Sequence, residues 1–225
     1  MYLQAFVSTI VIFLLSAILA ILLSASYVRK KTNSTLLWSS GMWFFSISVG
    51  LEIIFSAGIF SEGLIRFYTF LVAVLVSLLA LGSTTLLKGK MTFYAYTLYF
   101  TASTIFLLVS LLVTHISNIV LNGIVYGTLP LLVVLSSSFV TFPAAVILIV
   151  ISLISFRKSR QPKLLSIVAG VLVVSVAGTL YIASFPSFLY IAEFVGILLL
   201  WIGFVDFGSL FKTKEVVSEN VSGNV

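Results

Sequence analysis

Residues 3–31 read LQAFVSTIVIFLLSAILAILLSASYVRKK. The run over residues 3–28 contains no Lys, Arg, Asp or Glu, and it exceeds the roughly 20 residues that a helix needs to cross a bilayer. Arg29, Lys30 and Lys31 follow it directly. Because a cleaved signal peptide carries its positive charges before the apolar segment, this order predicts a retained transmembrane helix with its N-terminus outside.

The rest of the chain has the same character. Of its 225 residues, 61% are hydrophobic and only 8% are charged, whereas about a quarter of the residues in a soluble domain are charged. A water-soluble fold is therefore excluded. The chain also has no cysteine, which excludes disulfides, thiolate metal sites and cysteine nucleophiles.

Further long apolar runs predict an all-α, polytopic membrane protein built as a seven-transmembrane helix bundle. The transmembrane domain covers residues 1–214, and residues 215–225 form a polar tail that we expect to be disordered and cytoplasmic. The predicted spans cover about residues 3–28, 35–59, 65–87, 91–114, 127–156, 164–184 and 187–210.

The positive charges predict the orientation of these spans. Eleven of the twelve Lys and Arg residues follow the first, third, fifth or seventh span, and the twelfth is Arg66. Since Lys and Arg accumulate in cytoplasmic loops, the N-terminus is predicted outside and the C-terminus inside the cell membrane. The net charge of +6 therefore reflects orientation in the lipid bilayer, and we expect no nucleic-acid partner.

One segment allows two interpretations. Residues 117–156 are long enough for a hairpin of two spans folded at Ser136–Ser138, but that hairpin would move the charges of residues 157–163 to the outer face. The charge pattern favours an outer segment around Ser117–Thr128 followed by one long helix. Pro143 is predicted to kink that helix, because its ring removes a backbone donor.

Ionisable residues are few within the spans, where each costs roughly 2.5–3.5 kcal/mol on insertion scales and is a functional candidate by default. With the predicted orientation, Glu52 and Glu193 both lie about 10 Å below the outer surface, at about 1.5 Å per residue. Arg66 enters the third span from that surface, and each of the three lies on a stripe of small or polar residues.

We therefore predict an outward-facing polar site for a ligand or for protons. Its candidate residues are Glu52, Arg66, Glu193, Tyr190, Tyr181 and Tyr68. Two alternatives remain. The charged residues could form a purely structural ion-pair network that closes the bundle, or the two carboxyl groups could stay apart, each protonated and bonded to a nearby backbone.

The other ionisable residues do not indicate a further functional site. Asp206, near the inner end of the last span, is expected to pair with Lys212, Lys88 or Lys90, and His115 to lie at the outer end of the fourth span. The last span has no Lys for retinal, a single His gives no haem ligand pair, and no cluster with metal-ligand spacing occurs. We expect no cofactor, no metal and no enzymatic activity.

The segments Trp38-Ser39-Ser40-Gly41-Met42-Trp43-Phe44 and Gly50-Leu51-Glu52 resemble the second helix of the seven-helix sensor region that precedes histidine kinases and related signalling proteins. Arg66-Phe67-Tyr68 resembles the aromatic and basic opening of that family's third helix. The resemblance implies the same outside-to-inside order of seven spans and a sensory function. No kinase or cyclase domain follows the seventh span, so we expect a separate cytoplasmic partner to carry the signal.

The sequence thus predicts a non-enzymatic, receptor-like or sensor-like membrane bundle. In this interpretation a ligand or protons rearrange the second, third and seventh spans. Two other functions stay open: a small proton-coupled transporter whose moving part is the Pro143 kink, and an accessory structural subunit of a membrane complex.

Overall fold

The computed structural model describes residues 2–87, 90–116, 120–121, 124–125, 129–160, 166–167, 169–170, 173 and 186–204. Within these residues the chain forms six long helices and one very small β-hairpin. The helices are α1 Tyr2–Lys30, α2 Asn33–Ser56, α3 Glu62–Thr84, α4 Lys90–Val113, α5 Leu131–Ser159 and α6 Pro186–Phe204. The two-residue strands are β1 Val120–Leu121 and β2 Ile124–Val125, which pair antiparallel.

The prediction of an all-α membrane protein is confirmed at this level, because the helices α1 to α5 are each long and apolar enough to cross a bilayer. The seven-span count and the orientation stay predictions. Most of the predicted span at 164–184 lies outside the described residues, as do residues 205–225 of the last span and tail.

Two short connections set the arrangement of the first three helices. The α1–α2 turn is made by Lys31 and Thr32, and Lys31 adopts a left-handed φ of 49° while its N–H bonds to the carbonyl of Tyr27 at 2.7 Å. The α2–α3 connection ends at Ser61, whose side chain caps α3 by accepting from the Leu64 N–H at 3.3 Å. Such short links make consecutive helices antiparallel neighbours.

Two ends of the bundle can be named from these turns. The Ser61 end is where α2 finishes and α3 begins, and the Lys31 end is where α1 finishes and α2 begins. By the positive-inside rule, the Ser61 end is predicted outside and the Lys31 end inside.

Between α4 and α5 the strands β1 and β2 pair with each other, and α5 then runs without interruption from Leu131 to Ser159. The helix passes straight through Ser136–Ser138, so the alternative of two short spans folded there is excluded. Residues 117–119, 122–123 and 126–128 of the predicted outer segment lie outside the described residues.

Helix packing follows the chain order only in part. α1 contacts α2 and α6, α2 contacts α3, and α3 contacts both α4 and α5. At the Ser61 end one apolar core cluster joins α2, α3, α4 and α5 through Phe55, Ile65, Leu111 and Val133. A second core cluster extends toward the Lys31 end and includes α1 and α6.

Pro143 lies inside α5, where it has no N–H to give to the carbonyl four residues earlier, that of Phe139. Neighbouring helices supply donors at this point. The Tyr99 hydroxyl of α4 donates to the Phe139 carbonyl at 2.7 Å, and the Ser77 hydroxyl of α3 donates to the next carbonyl, Val140, at 2.9 Å. Hydrogen bonds from neighbours are what make a proline tolerable inside a membrane helix.

The α2–α3 interface depends on small residues that let the backbones approach. A Cβ atom on Gly82 would lie 2.6 Å from Cδ1 of Trp38. The indole N–H of Trp38 in turn donates to the Leu79 carbonyl at 3.2 Å and to the Ser83 hydroxyl at 3.3 Å. Trp38 is thus seated in a notch that only glycine leaves open.

Candidate functional site

The first residue of the candidate site, Glu52, lies one turn before the end of α2 and is only 3% exposed. Its helix face carries small and polar residues, as the sequence predicted: Ser48 is buried and Ser56 is half-buried. Both hydroxyls are occupied by their own helix, since Ser48 donates to the Phe45 carbonyl and Ser56 to that of Ile53, each at 2.7 Å. Neither serine hydroxyl therefore donates its hydrogen to the Glu52 carboxyl group.

Tyr68 is the direct partner of Glu52. It lies in the second turn of α3, where its hydroxyl donates to Glu52 Oε1 at 2.7 Å. Its ring packs edge-on against Phe55, with ring centroids 5.7 Å apart. The tyrosine is 8% exposed, so this hydrogen bond joins α2 to α3 inside the bundle.

Glu193 brings the second carboxyl group to the same place from α6. It is 7% exposed, and it lies close enough to Glu52 for the two carboxyl groups to interact electrostatically. The surrounding packing agrees with this placement. Val49, one turn from Glu52, and Ile197, one turn from Glu193, belong to one core cluster together with Ile12 of α1.

Each carboxyl group keeps one oxygen atom without a partner. Among the described residues, neither Glu52 Oε2 nor Glu193 Oε2 accepts a hydrogen bond, although both atoms are buried. A buried polar atom without a partner costs about 1–3 kcal/mol, and more if it carries charge. The site therefore holds two polar atoms in a position where an additional donor or positive charge would be stabilising.

The structure places Arg66 elsewhere. Its Nη2 donates to Glu62 Oε1 at 2.7 Å and to the Thr114 carbonyl at 3.2 Å. None of the contacts made by the described residues joins Arg66 to Glu52 or Glu193. The guanidinium group thus belongs to the mouth of the bundle and not to the carboxyl pair, which is the main difference from the expected site.

Glu62 is the residue that the sequence reasoning missed. Its carboxylate also accepts from the Ile116 N–H at 3.0 Å, and His115 Nδ1 lies 3.2 Å from it. The cluster fastens the start of α3 to the chain just beyond α4. The signal was available, since Glu62 and Arg66 are four residues apart and so face each other on one helix, directly after the capping residue Ser61.

The remaining candidates fall wholly or partly outside the described residues. The backbone of Tyr190 belongs to α6, one turn before Glu193, but its side chain is not among the described groups. Tyr181 and Asp206 lie outside the described residues altogether. His115 is found just beyond α4 and is 83% exposed on its side chain.

The chemistry of the site is that of two carboxyl groups and one phenol in apolar surroundings. Such groups bind protons or a positively charged group. Within the described part of the chain, no group of three or more His, Cys, Asp or Glu side chains is arranged to hold a metal ion.

Comparison of the chain with protein-family models, with curated proteins and with solved structures finds no match. The resemblance to histidine-kinase sensor regions accordingly stays a prediction that rests on the residues of the second and third spans.

Proposed function

We propose that this protein is a non-enzymatic, sensor-like or receptor-like bundle of seven membrane spans, with its N-terminus outside. Its site for a small ligand or for protons is formed by Glu52, Tyr68 and Glu193. The observation that carries this proposal is the presence of two buried carboxyl groups within electrostatic range of each other, each with one oxygen atom unpartnered among the described residues. Ionisable groups at such a place are expensive and mark functional sites by default.

The depth of the site supports access from the Ser61 end. Glu52 precedes the last residue of α2, Ser56, by one turn, and Glu193 follows the first residue of α6, Pro186, by two turns. At 1.5 Å per residue these carboxyl groups lie about 6–10 Å from that end. They are thus much closer to the predicted outer surface than to the inner one.

The helices of the site also meet at the opposite end, which gives a route for a signal. At the Lys31 end, the ring of Trp38 from α2 packs against Phe204 from α6, with centroids 5.1 Å apart. The same indole bonds to the Leu79 carbonyl of α3. A change in the packing of α2, α3 and α6 around the carboxyl groups would therefore shift these contacts near the cytoplasm, where we expect a separate partner protein to respond.

The absence of cysteine from the chain makes this proposal directly measurable. Lys31 and Thr85 directly follow α1 and α3 at the Lys31 end. Spin labels on cysteines introduced at these two positions report the distance between the ends of these helices in lipid nanodiscs. We expect the distance distribution to change when the pH is moved between about 5 and about 9, the range over which perturbed carboxyl groups titrate, or when a ligand binds.

The matched control is the double variant E52Q/E193Q, in which the carboxyl pair carries no charge at any pH. Its distance distribution is expected to be constant over the same range. A wild-type protein whose Lys31 end never moves, under any pH or with any bound compound, would reject a sensor and leave a structural subunit as the better function.

A second candidate function is a small proton-coupled transporter, and the observation that favours it is Pro143. A helix that lacks a backbone hydrogen bond at this residue can bend more easily, and α5 contacts both α3 and α4. Reconstituted into liposomes that enclose a pH-sensitive dye, a transporter would acidify the lumen in response to an imposed substrate or pH gradient, and the E52Q/E193Q variant would not.

A further inference from the structure

The membrane spans contain very few positive charges that could balance the carboxyl pair. Arg66 is the only Lys or Arg between residues 32 and 87, and none occurs in residues 91–156 or 164–211. In the structure, Arg66 forms an ion pair with Glu62. The chain therefore offers no second lysine or arginine within the spans to neutralise Glu52 and Glu193.

Two ionised carboxylates are not stable in such a place without positive charge. Removing one ion from water into protein costs several kcal/mol even after relaxation, and repulsion between like charges adds to this cost. The hydrogen bond from Tyr68 to Glu52 Oε1 is far too small to offset it. Positive charge must therefore be taken up from outside the chain.

The shape of the site limits what can supply that charge. Both unpartnered oxygen atoms are buried. The apolar residues one turn from the two glutamates, Val49 and Ile197, are fully buried and belong to one core cluster. An organic cation would require the helices to separate, whereas a proton requires no space. An ionised carboxylate can only accept hydrogen bonds, but a protonated one becomes a donor, so a bound proton removes the charge of a carboxyl group without occupying space.

We propose that the Glu52–Glu193 pair is a proton-binding site, filled from the Ser61 end, that holds at least one proton while α2, α3 and α6 are packed together. The inference rests on the proposed function, because it names the ligand of the same site. Loss of the bound proton would set two negative charges against each other and push α6 away from α2.

The groups that surround the pair are few enough to assign the titration. α2 has no other acidic or basic residue, and in α1 such residues occur only at the end, as Arg29 and Lys30. α3 contributes the Tyr68 hydroxyl, with Glu62 and Arg66 paired at the mouth. In α6 the other titratable residue is Tyr190, and in residues 164–184 it is Tyr181. His115 lies at the same end, beside Glu62. The part of a pH response that E52Q/E193Q abolishes and E62Q retains is therefore attributable to the two carboxyl groups.

The sign of the pH dependence follows from proton counting. If the folded protein holds a proton that the unfolded chain releases at neutral pH, stability falls as the pH rises. The thermal unfolding temperature of the wild-type protein, measured in sodium-free buffer with choline as the cation, should drop by several degrees between about pH 5 and about pH 9. The E52Q/E193Q variant mimics the protonated pair, so its unfolding temperature should stay near the acidic wild-type value across the range.

The matched control is E62Q, which removes an acidic residue at the same end of the bundle but leaves the buried pair intact. It should keep the wild-type drop. Infrared spectra of the unheated protein give a second readout, because a protonated carboxyl group has its own carbonyl band. That band should be present near neutral pH in wild type and E62Q, should weaken in alkali, and should be absent from E52Q/E193Q.

Several results would overturn the inference. One is a wild-type protein with no carboxylic acid band near neutral pH, and another is a pH dependence that E52Q/E193Q does not change. A third is recovery of the alkaline stability by sodium but not by choline, which would make the ligand an inorganic cation.

These outcomes are distinct from failure of the proposed sensor. If the carboxyl pair titrates but the spin-label distance at the Lys31 end stays constant, the proton site stands and the sensor is rejected. If a bound compound moves the Lys31 end and the pair never titrates, the sensor stands and the proton site is rejected.

Discussion

The hydroxyl of Tyr68 donates a 2.7 Å hydrogen bond to Glu52 Oε1, which joins α3 to α2 at the buried carboxyl pair. The other oxygen atom of this carboxyl group, Glu52 Oε2, accepts no hydrogen bond from the described residues, and the same holds for Glu193 Oε2. Glu52 therefore has a neutral donor on one oxygen atom, which can stabilise the carboxyl group in either charge state.

Replacing Tyr68 with Phe should measure the strength of this bond. The ring would still pack edge-on against Phe55, so the change removes only the hydroxyl donor. We expect a loss of roughly 0.6–1.7 kcal/mol of unfolding free energy, the range found for hydrogen bonds between membrane helices, measured by equilibrium unfolding in mixed micelles. Tyr94→Phe on the exposed face of α4 is the control. Equal losses for both variants would contradict an energetic role for the Tyr68–Glu52 bond.

A double-mutant cycle should establish the role of Tyr99 at the proline in α5. Its hydroxyl bonds to the Phe139 carbonyl, which Pro143 leaves without a helical donor. Tyr99→Phe should cost about 1 kcal/mol in the wild-type background. Pro143→Ala restores the missing N–H, so the same Tyr99→Phe change should cost clearly less in that background.

The measured quantity in that cycle is the coupling free energy from equilibrium unfolding of the four proteins. A coupling of zero would mean that Tyr99 does not compensate for the proline. The same variants bear on the transporter alternative, since the Tyr99–Phe139 bond restrains bending of α5 at Pro143, which transport through that helix would require.

Gly82 should be intolerant of any side chain, because a Cβ atom there would lie 2.6 Å from Trp38 Cδ1. Gly82→Ala must displace an indole ring that is hydrogen-bonded to α3 and packed on Phe204. We expect a destabilisation of about 1–3 kcal/mol, as for other overpacked interiors.

Gly63 provides the matched control on the same helix, since the nearest atom to a Cβ atom there is Ser61 Oγ at 4.0 Å. Gly63→Ala should be neutral or stabilising by up to about 1 kcal/mol, because alanine is the better helix former. Similar unfolding temperatures for Gly82→Ala and Gly63→Ala would show that the Trp38 notch is not tightly packed.

How far the sequence predicts this molecule can be judged from particular residues. Five helices were foreseeable from long apolar runs, since length alone distinguishes a membrane helix from a buried strand. The continuity of α5 was foreseeable from the charges that follow it. Glu52 was identifiable because a charged residue within an apolar span is rare and costly.

It was harder to predict which residues pair with each other than to predict which residues belong to the site. Arg66 was expected beside Glu52 and Glu193, but it pairs with Glu62. A carboxylate one turn away on the same helix is already in reach, so the guanidinium group can pair with it at the end of the helix without being buried in the bundle. The Tyr99–Phe139 bond depends on how α4 is rotated against α5, which no spacing within one helix reveals. The sequence therefore predicts that these helices exist, but it does not predict how each helix is rotated against its neighbours.

The orientation in the membrane gives the last prediction, and the cysteine-free chain allows a clean measurement. Single cysteines introduced at Ser61 and at Thr32, both exposed, mark the two ends of the bundle. Because Arg29, Lys30 and Lys31 adjoin Thr32, we expect that end to face the cytoplasm. A membrane-impermeant maleimide added to intact cells should label Ser61→Cys at once and Thr32→Cys only after the membrane is permeabilised. The reverse result would place the carboxyl pair nearer the cytoplasm, and its protons would then report the internal pH instead of the external one.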